Sequence, residues 1–189
     1  MEMAGSGVGR GDLRSPARLP VKRYIALFEA QFLVVTLPPW SDNLDKRLAK
    51  TAKIYFNDAG LLAHLLGVDA DGLAHQSVSK GALVENFAVV ELMKLAANSQ
   101  ARPSLFHFRT SSGQEVDVVM ETRRRDLVGV EIKSAATVAD ADFRGLHNFA
   151  AIAGKRLRAG IVLYAGRETL PFGDRMWAVP LEALWAEKR

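Results

Sequence analysis

Three short apolar runs crowd the middle of the chain, and their spacing restricts the fold more than any other feature. Leu105 to Arg109, Glu115 to Met120 and Val128 to Lys133 each have the length and composition of a strand. The links between them, Ser111-Ser112-Gly113 and Glu121 to Asp126, have lengths and compositions suited to hairpins. The longest helix precedes them, Lys80 to Ala97, dominated by Leu83, Val84, Phe87, Val90, Leu92 and Leu95. A helix from about Ala139 to Ala153 follows, then an apolar strand from Gly160 to Tyr164. A short strand at Met176 to Val179 leads into a helix from Leu181. No internal repeat interrupts this order, and 189 residues with 49% hydrophobic content are enough for one domain of ordinary size.

The first third of the chain reads differently. Residues 1–18 carry glycines at alternate positions and no hydrophobic period, so they are expected to form a flexible lead-in. Val21, Tyr24, Ile25 and Phe28 follow the spacing of an amphipathic helix. Phe32 to Leu37 reads as a strand stopped by Pro38-Pro39, and a basic stretch, Ser41 to Lys50, leads to a second strand at Lys53 to Phe56. Helix, strand, basic loop, strand is the order of the last part of a winged helix. A helix and hairpin bury too little apolar surface to stand alone, so residues 19–67 must lean on the rest of the chain. Asp58 is placed to cap a short helix, Ala59 to Leu66, with Gly67 at its C-terminal end. Residues 68–79 read as a polar, mobile loop, leaving 80–189 as the main domain.

Several functions are excluded or unsupported. No stretch approaches the ~18 uninterrupted apolar residues of a membrane span, and the N-terminus has no apolar signal core. With no cysteine there is no disulfide framework or thiolate metal site, which suits the reducing cytoplasm. The glycines do not match a dinucleotide or P-loop pattern, so no nucleotide site is expected in this chain. His64, His75, His107 and His147 are scattered without zinc-ligand spacing. His107 and the three tryptophans, Trp40, Trp177 and Trp185, read as packing residues. A net charge of +4 permits a polyanionic partner without requiring one. The basic residues gather at Lys46-Arg47 with Lys50 and Lys53, at Arg123, Arg124 and Arg125, and at Lys155, Arg156 and Arg158. Each group by itself reads first as a solvated turn.

Four charged side chains sit where apolar ones belong. Glu85 has Ala88, Val89 and Leu92 three, four and seven residues further along its helix. Asp117 stands between Val116 and Val118 in a strand expected to be central. Glu131 and Lys133 share one face of a strand whose other face is Val128, Val130 and Ile132. Burying an unpaired charge costs several kcal/mol, roughly, so such groups have partners. Either Lys133 pairs with one carboxylate while the others reach solvent, or the carboxylates converge on a hard divalent cation with Lys133 beside it.

These residues, ordered helix, strand, strand, resemble the PD-(D/E)xK nuclease fold. The wording around them is similar to the C-terminal domain of unknown function of a large prokaryotic family of predicted AAA+ ATPases. The phrases are Lys53-Ile54-Tyr55-Phe56-Asn57-Asp58-Ala59-Gly60-Leu61, Gly81-Ala82-Leu83-Val84-Glu85-Asn86-Phe87, Gly113-Gln114-Glu115-Val116-Asp117-Val118-Val119 and Val130-Glu131-Ile132-Lys133-Ser134. The likeness runs over residues 20–189. It implies an α/β core, a nuclease-like mixed sheet flanked by helices, preceded by a partial winged-helix-like helix and hairpin. It further implies a Mg²⁺ or Mn²⁺ site of Glu85, Asp117, Glu131 and the Ile132 carbonyl, with Lys133 as catalytic lysine and Gln114 and Glu115 in support. The ATPase and most of the winged helix expected ahead of this region are not in the sequence, so an ATPase partner is an expectation alongside DNA.

Three readings of function follow as expectations. One is a metal-dependent DNA phosphodiesterase whose backbone contacts come from Arg123, Arg124, Arg125, Lys155, Arg156 and Arg158. The second is a non-catalytic module that binds DNA or regulates an ATPase. The third is a plain scaffold or dimerisation domain whose acids are residual. The apolar face around Val21 to Phe28 makes a homo-oligomer a further expectation.

Overall fold

The computed structural model describes residues 21–42, 51–69, 72–73, 77–110 and 112–186. The expected lead-in, Lys46, Arg47, Lys50 and His75 lie outside them. Helix α1 (Val21–Ala30) buries none of its residues, and Val21, Tyr24, Leu27 and Phe28 are exposed. Strands β1 (Val34–Leu37) and β2 (Lys53–Phe56) form an antiparallel pair with Val34 opposite Phe56 and Leu37 opposite Lys53. Asp58 starts α2 (Ala59–Leu65) as the spacing anticipates, its Oδ1 accepting from the Leu61 N–H at 2.6 Å. Helix α3 (Ser77–Asn98) begins three residues before Lys80, within what reads in sequence as loop.

The main sheet has six strands: β3 (Ser104–Arg109), β4 (Glu115–Glu121), β5 (Leu127–Lys133), β6 (Leu157–Tyr164), β7 (Leu170–Pro171) and β8 (Met176–Pro180). Their spatial order is β3-β4-β5-β6-β8-β7. The β3–β4–β5 hairpins are antiparallel, β5–β6 and β6–β8 are parallel, and β7–β8 is antiparallel, which makes the sheet mixed. The parallel β5–β6 step needs a crossover, supplied by α4 (Arg144–Ala153). Three elements differ from the sequence reading: β7 is not anticipated there, the stretch before α4 is a 3₁₀ turn at Asp140–Phe143, and the expected last helix is a 3₁₀ turn at Leu181–Leu184.

Each face of the sheet carries its own core. On one side α4 packs Leu146, Phe149 and Ala153 against Val116, Val119 and Leu127, with Trp40 and Phe108 joining them. Close approach of α4 depends on Gly145, since a Cβ there would stand 2.1 Å from the Glu115 carbonyl oxygen. On the other side α3 packs Ala88, Val89 and Leu92 against Val118, Val130 and Ile132. Leu37 and Tyr55 enter this second core, and a bridge from Pro39 to His107 ties the chain after β1 to β3. The hairpin therefore leans on the main domain, whereas α1 buries no residue. Trp40 is a core residue, whereas Trp177 and Trp185 are both exposed, Trp185 stacking on Phe87. Among the described residues no helix is long and apolar enough to cross a membrane.

Candidate functional site

A break in the regular pairing of β4 creates the site. Phe106 faces Val119 and Phe108 faces Val116, so three residues of β4 span two of β3. Val116 and Val119 both enter the α4-side core, while Val118 enters the α3 side. One extra residue at Asp117–Val118 accounts for this, and such a bulge re-aims a side chain. The β4–β5 ladder begins at Val118–Val130 and runs towards the turn, whereas β5 stays paired with β6 as far as Lys133. The strands thus fork beyond Val118. Asp117 sits in the fork, where its Oδ2 accepts the Ile132 N–H at 3.0 Å.

From there the charged groups form a chain. Asp117 Oδ1 accepts from Lys53 Nζ at 3.1 Å, and the same amine donates to Glu85 Oε1 at 3.1 Å. Tyr55, two residues along β2, donates its hydroxyl to Glu85 Oε1 at 2.8 Å. The neighbour of Glu85 on α3 anchors this strand. Phe56 N–H donates to Asn86 Oδ1 and Asn86 Nδ2 donates to the Phe56 carbonyl, both at 2.8 Å. The buried Asn86 amide therefore acts as an extra strand edge and fixes Lys53 and Tyr55 against Glu85. On the far side of the fork, Lys133 Nζ donates to Glu131 Oε1 at 3.1 Å. Glu131 Oε2 is buried without a hydrogen-bond partner.

Burial and crowding shift these groups. Burial raises the Asp117 pKa, and the nearby Glu85 carboxylate raises it further against the pull of Lys53 and the Ile132 amide. Burial and the Asp117 charge push Glu131 up to about 7, although Lys133 opposes them. Burial lowers both lysines, but their carboxylate neighbours outweigh it, so Lys53 and Lys133 end above the ordinary value and remain ammonium ions at neutral pH. Burial and Glu85 likewise raise the Tyr55 phenol.

The structure joins Glu85 to Asp117 through Lys53 and ties Asp117 to the Ile132 N–H, while Glu131 and Lys133 pair with each other near Asp117. It also corrects the expected count: three acids face two amines, because Lys53 joins them. Lys53, Tyr55 and Asn86 were not singled out as site residues. The alternation of Lys53 and Tyr55 on a four-residue strand was the available signal, but nothing local ties that strand to α3. Glu115 pairs with Arg109 at 3.1 Å, and Gln114 is exposed, its N–H donating to Thr110 Oγ1 at 3.1 Å. The six basic residues stand elsewhere. Arg123, Arg124 and Arg125 occupy the β4–β5 turn, about 20 Å from Asp117 at the rise of an extended strand. Arg125 pairs with Glu121 at 2.9 Å, Arg156 with Asp42, and Arg158 with Asp126 at 2.8 Å. Arg125, Arg156 and Arg158 thus form an ion-paired patch towards the opposite end of the hairpin, away from the acid site.

An all-oxygen donor set with one unpartnered buried carboxylate oxygen suits a hard divalent ion in kind. In position, Lys53 lies between two of the oxygens, and among the described residues no three acidic or imidazole groups are placed to hold a metal.

Comparison with known proteins adds no chemistry to this site. Over 168 residues the chain is 30% identical to the uncharacterized protein Rv2008c of Mycobacterium tuberculosis and equally to the uncharacterized protein Mb2031c of Mycobacterium bovis. The match takes in 89% of this chain but 36% of either relative. No solved structure matches. Residues 14–72 match a domain of unknown function, DUF8612, which takes in α1, the β1–β2 pair and α2. Residues 80–184, the main sheet with its two helices, match a second, and the chain belongs to that family: the domain of unknown function DUF4143, associated with AAA-type ATPase proteins.

Proposed function

We propose that the fork is the centre of a divalent-cation-dependent phosphodiesterase of the PD-(D/E)xK kind, acting on DNA. The observation that carries this reading is the meeting of Glu85, Asp117, Glu131 and Lys133 around one bulged strand, with Glu131 Oε2 left unpartnered. Glu85, Asp117, Glu131 and the Ile132 carbonyl would hold Mg²⁺ or Mn²⁺, whose chemistry is to activate water and neutralise charge on a scissile phosphate. The chain's own groups do the rest. Ile132 N–H fixes the direction of the Asp117 carboxylate. Lys133 keeps its proton and presents a positive charge for a phosphate oxygen. The ion-paired arginines at the other end of the hairpin are left to a more distant stretch of backbone.

The test is nicking of supercoiled plasmid by purified protein with Mg²⁺ or Mn²⁺. Asp117→Asn and Lys133→Ala should each lower the rate by at least about a hundredfold. Nicking that survives both substitutions refutes the assignment.

A second reading keeps the fold without cleavage, as a module that binds DNA or regulates an AAA-type ATPase. The lysine lodged between Glu85 and Asp117 favours it, since it neutralises the carboxylates that hydrolysis would need. It is the reading left if no metal-dependent product forms while the protein still binds DNA, or an ATPase partner, in a salt-sensitive manner.

A further inference from the structure

Lys53 is the one charged member of the cluster described above that does not belong to the main sheet or to α3. It reaches in from β2, and its Nζ stands 3.1 Å from a Glu85 oxygen and 3.1 Å from an Asp117 oxygen. Those two oxygens come from different elements, and the ammonium is what joins them. Removing it would leave the Glu85 and Asp117 carboxylates with no cation between them, beside the Glu131–Lys133 pair. Such an excess of negative oxygen attracts a hard dication. The amine also has an exit. Lys53 lines a cleft of about 300 Å³ together with Tyr55, Leu62, Ala82, Asn86 and Glu85 itself, and its four-carbon stem can turn into that space, away from Asp117. Tyr55 keeps its own hydrogen bond to Glu85, so Glu85 stays aimed at the fork when the amine leaves.

We propose that Lys53 is a tethered cation that closes the fork and is exchanged for a divalent ion, so that this one side chain sets the metal affinity of the site. The proposal rests on reading the carboxylates as a cation site, and goes beyond it by naming the residue that controls access.

The experiment is direct titration of Mn²⁺, by calorimetry and by loss of the free-ion paramagnetic resonance signal. It compares the unmodified protein, Lys53→Met, and Lys53→Met combined with Asp117→Asn. Lys53→Met should bind Mn²⁺ at least about tenfold more tightly than the unmodified protein, and Asp117→Asn should cancel the gain. Equal or weaker binding by Lys53→Met, or no binding by either protein, overturns the proposal. A second measurement needs no variant: saturating Mg²⁺ should speed reductive methylation of Lys53 several-fold, read by peptide mass, because the displaced amine enters the cleft. An unchanged labelling rate overturns the proposal even if Lys53→Met fails to fold. The two readings fail separately. Tighter Mn²⁺ binding without nicked plasmid removes the phosphodiesterase and keeps the exchange, whereas nicking with an unaltered Mn²⁺ affinity does the reverse.

Discussion

Glu131→Gln should stabilise the metal-free protein, and by an amount that grows with pH. The Glu131 side chain is 15% exposed, one oxygen is held by Lys133, and the other is buried without a partner. Its pKa rises from 4.5 to about 7. At about 1.36 kcal/mol per unit, ionising it in the folded state costs about 3 kcal/mol more than in the unfolded chain. The sign is as follows. Below pH 4.5 both states hold the proton and nothing is lost. Between 4.5 and about 7 the folded state keeps a proton that the unfolded chain has released, so stability falls as pH rises. Above about 7 the full penalty is present. The neutral amide introduced by Glu131→Gln carries no such penalty, and its carbonyl can still receive Lys133. The raised Asp117 pKa acts in the same direction, and Glu131→Gln eases it by removing a neighbouring negative charge, which adds to the gain. The contributions of Lys53 and Lys133 are lost only above the ordinary lysine range, outside this window. Urea unfolding followed by circular dichroism at pH 5, 6, 7 and 8 in EDTA should show the advantage of Glu131→Gln growing by about 2 kcal/mol or more. An advantage constant across that range would show that burial does not control the Glu131 proton.

Two further substitutions probe how the site is held. Asn86→Leu removes both hydrogen bonds to the Phe56 backbone and should cost about 2–4 kcal/mol, with faster amide exchange in β2 as the specific sign that its anchor has gone. Gly145→Ala should destabilise by about 1–3 kcal/mol in thermal melts despite the better helix propensity of alanine, because the new Cβ meets the Glu115 carbonyl. A neutral or stabilising Gly145→Ala would mean that α4 can lift from β4 at little cost.

Much of the architecture was legible in local pattern. The three central runs, their hairpin links, the long helix and the Asp58 cap all appear where spacing puts them. The charges inside apolar runs marked the site, because a carboxylate beside Val116 and Val118 has no reason to be there unless something meets it. What local pattern concealed was the partner. Lys53 looked like the last member of a basic loop, and Arg123 to Arg125 like a hand for phosphate. The fold reverses their weight, carrying Lys53 into the acids and leaving the arginines at the far end of the hairpin, where Arg125 pairs with Glu121.

Residue order alone determined which segments became helix and strand and which side chains would be costly to bury, since periodicity and desolvation act on near neighbours. Only the tertiary structure decided who satisfies them. Glu85 and Asp117 lie 32 and 64 positions from Lys53 along the chain, and the bulge that aims Asp117 exists only as a mismatch between two strands. Coulombic pairing depends on separation in space, which packing sets and sequence distance does not.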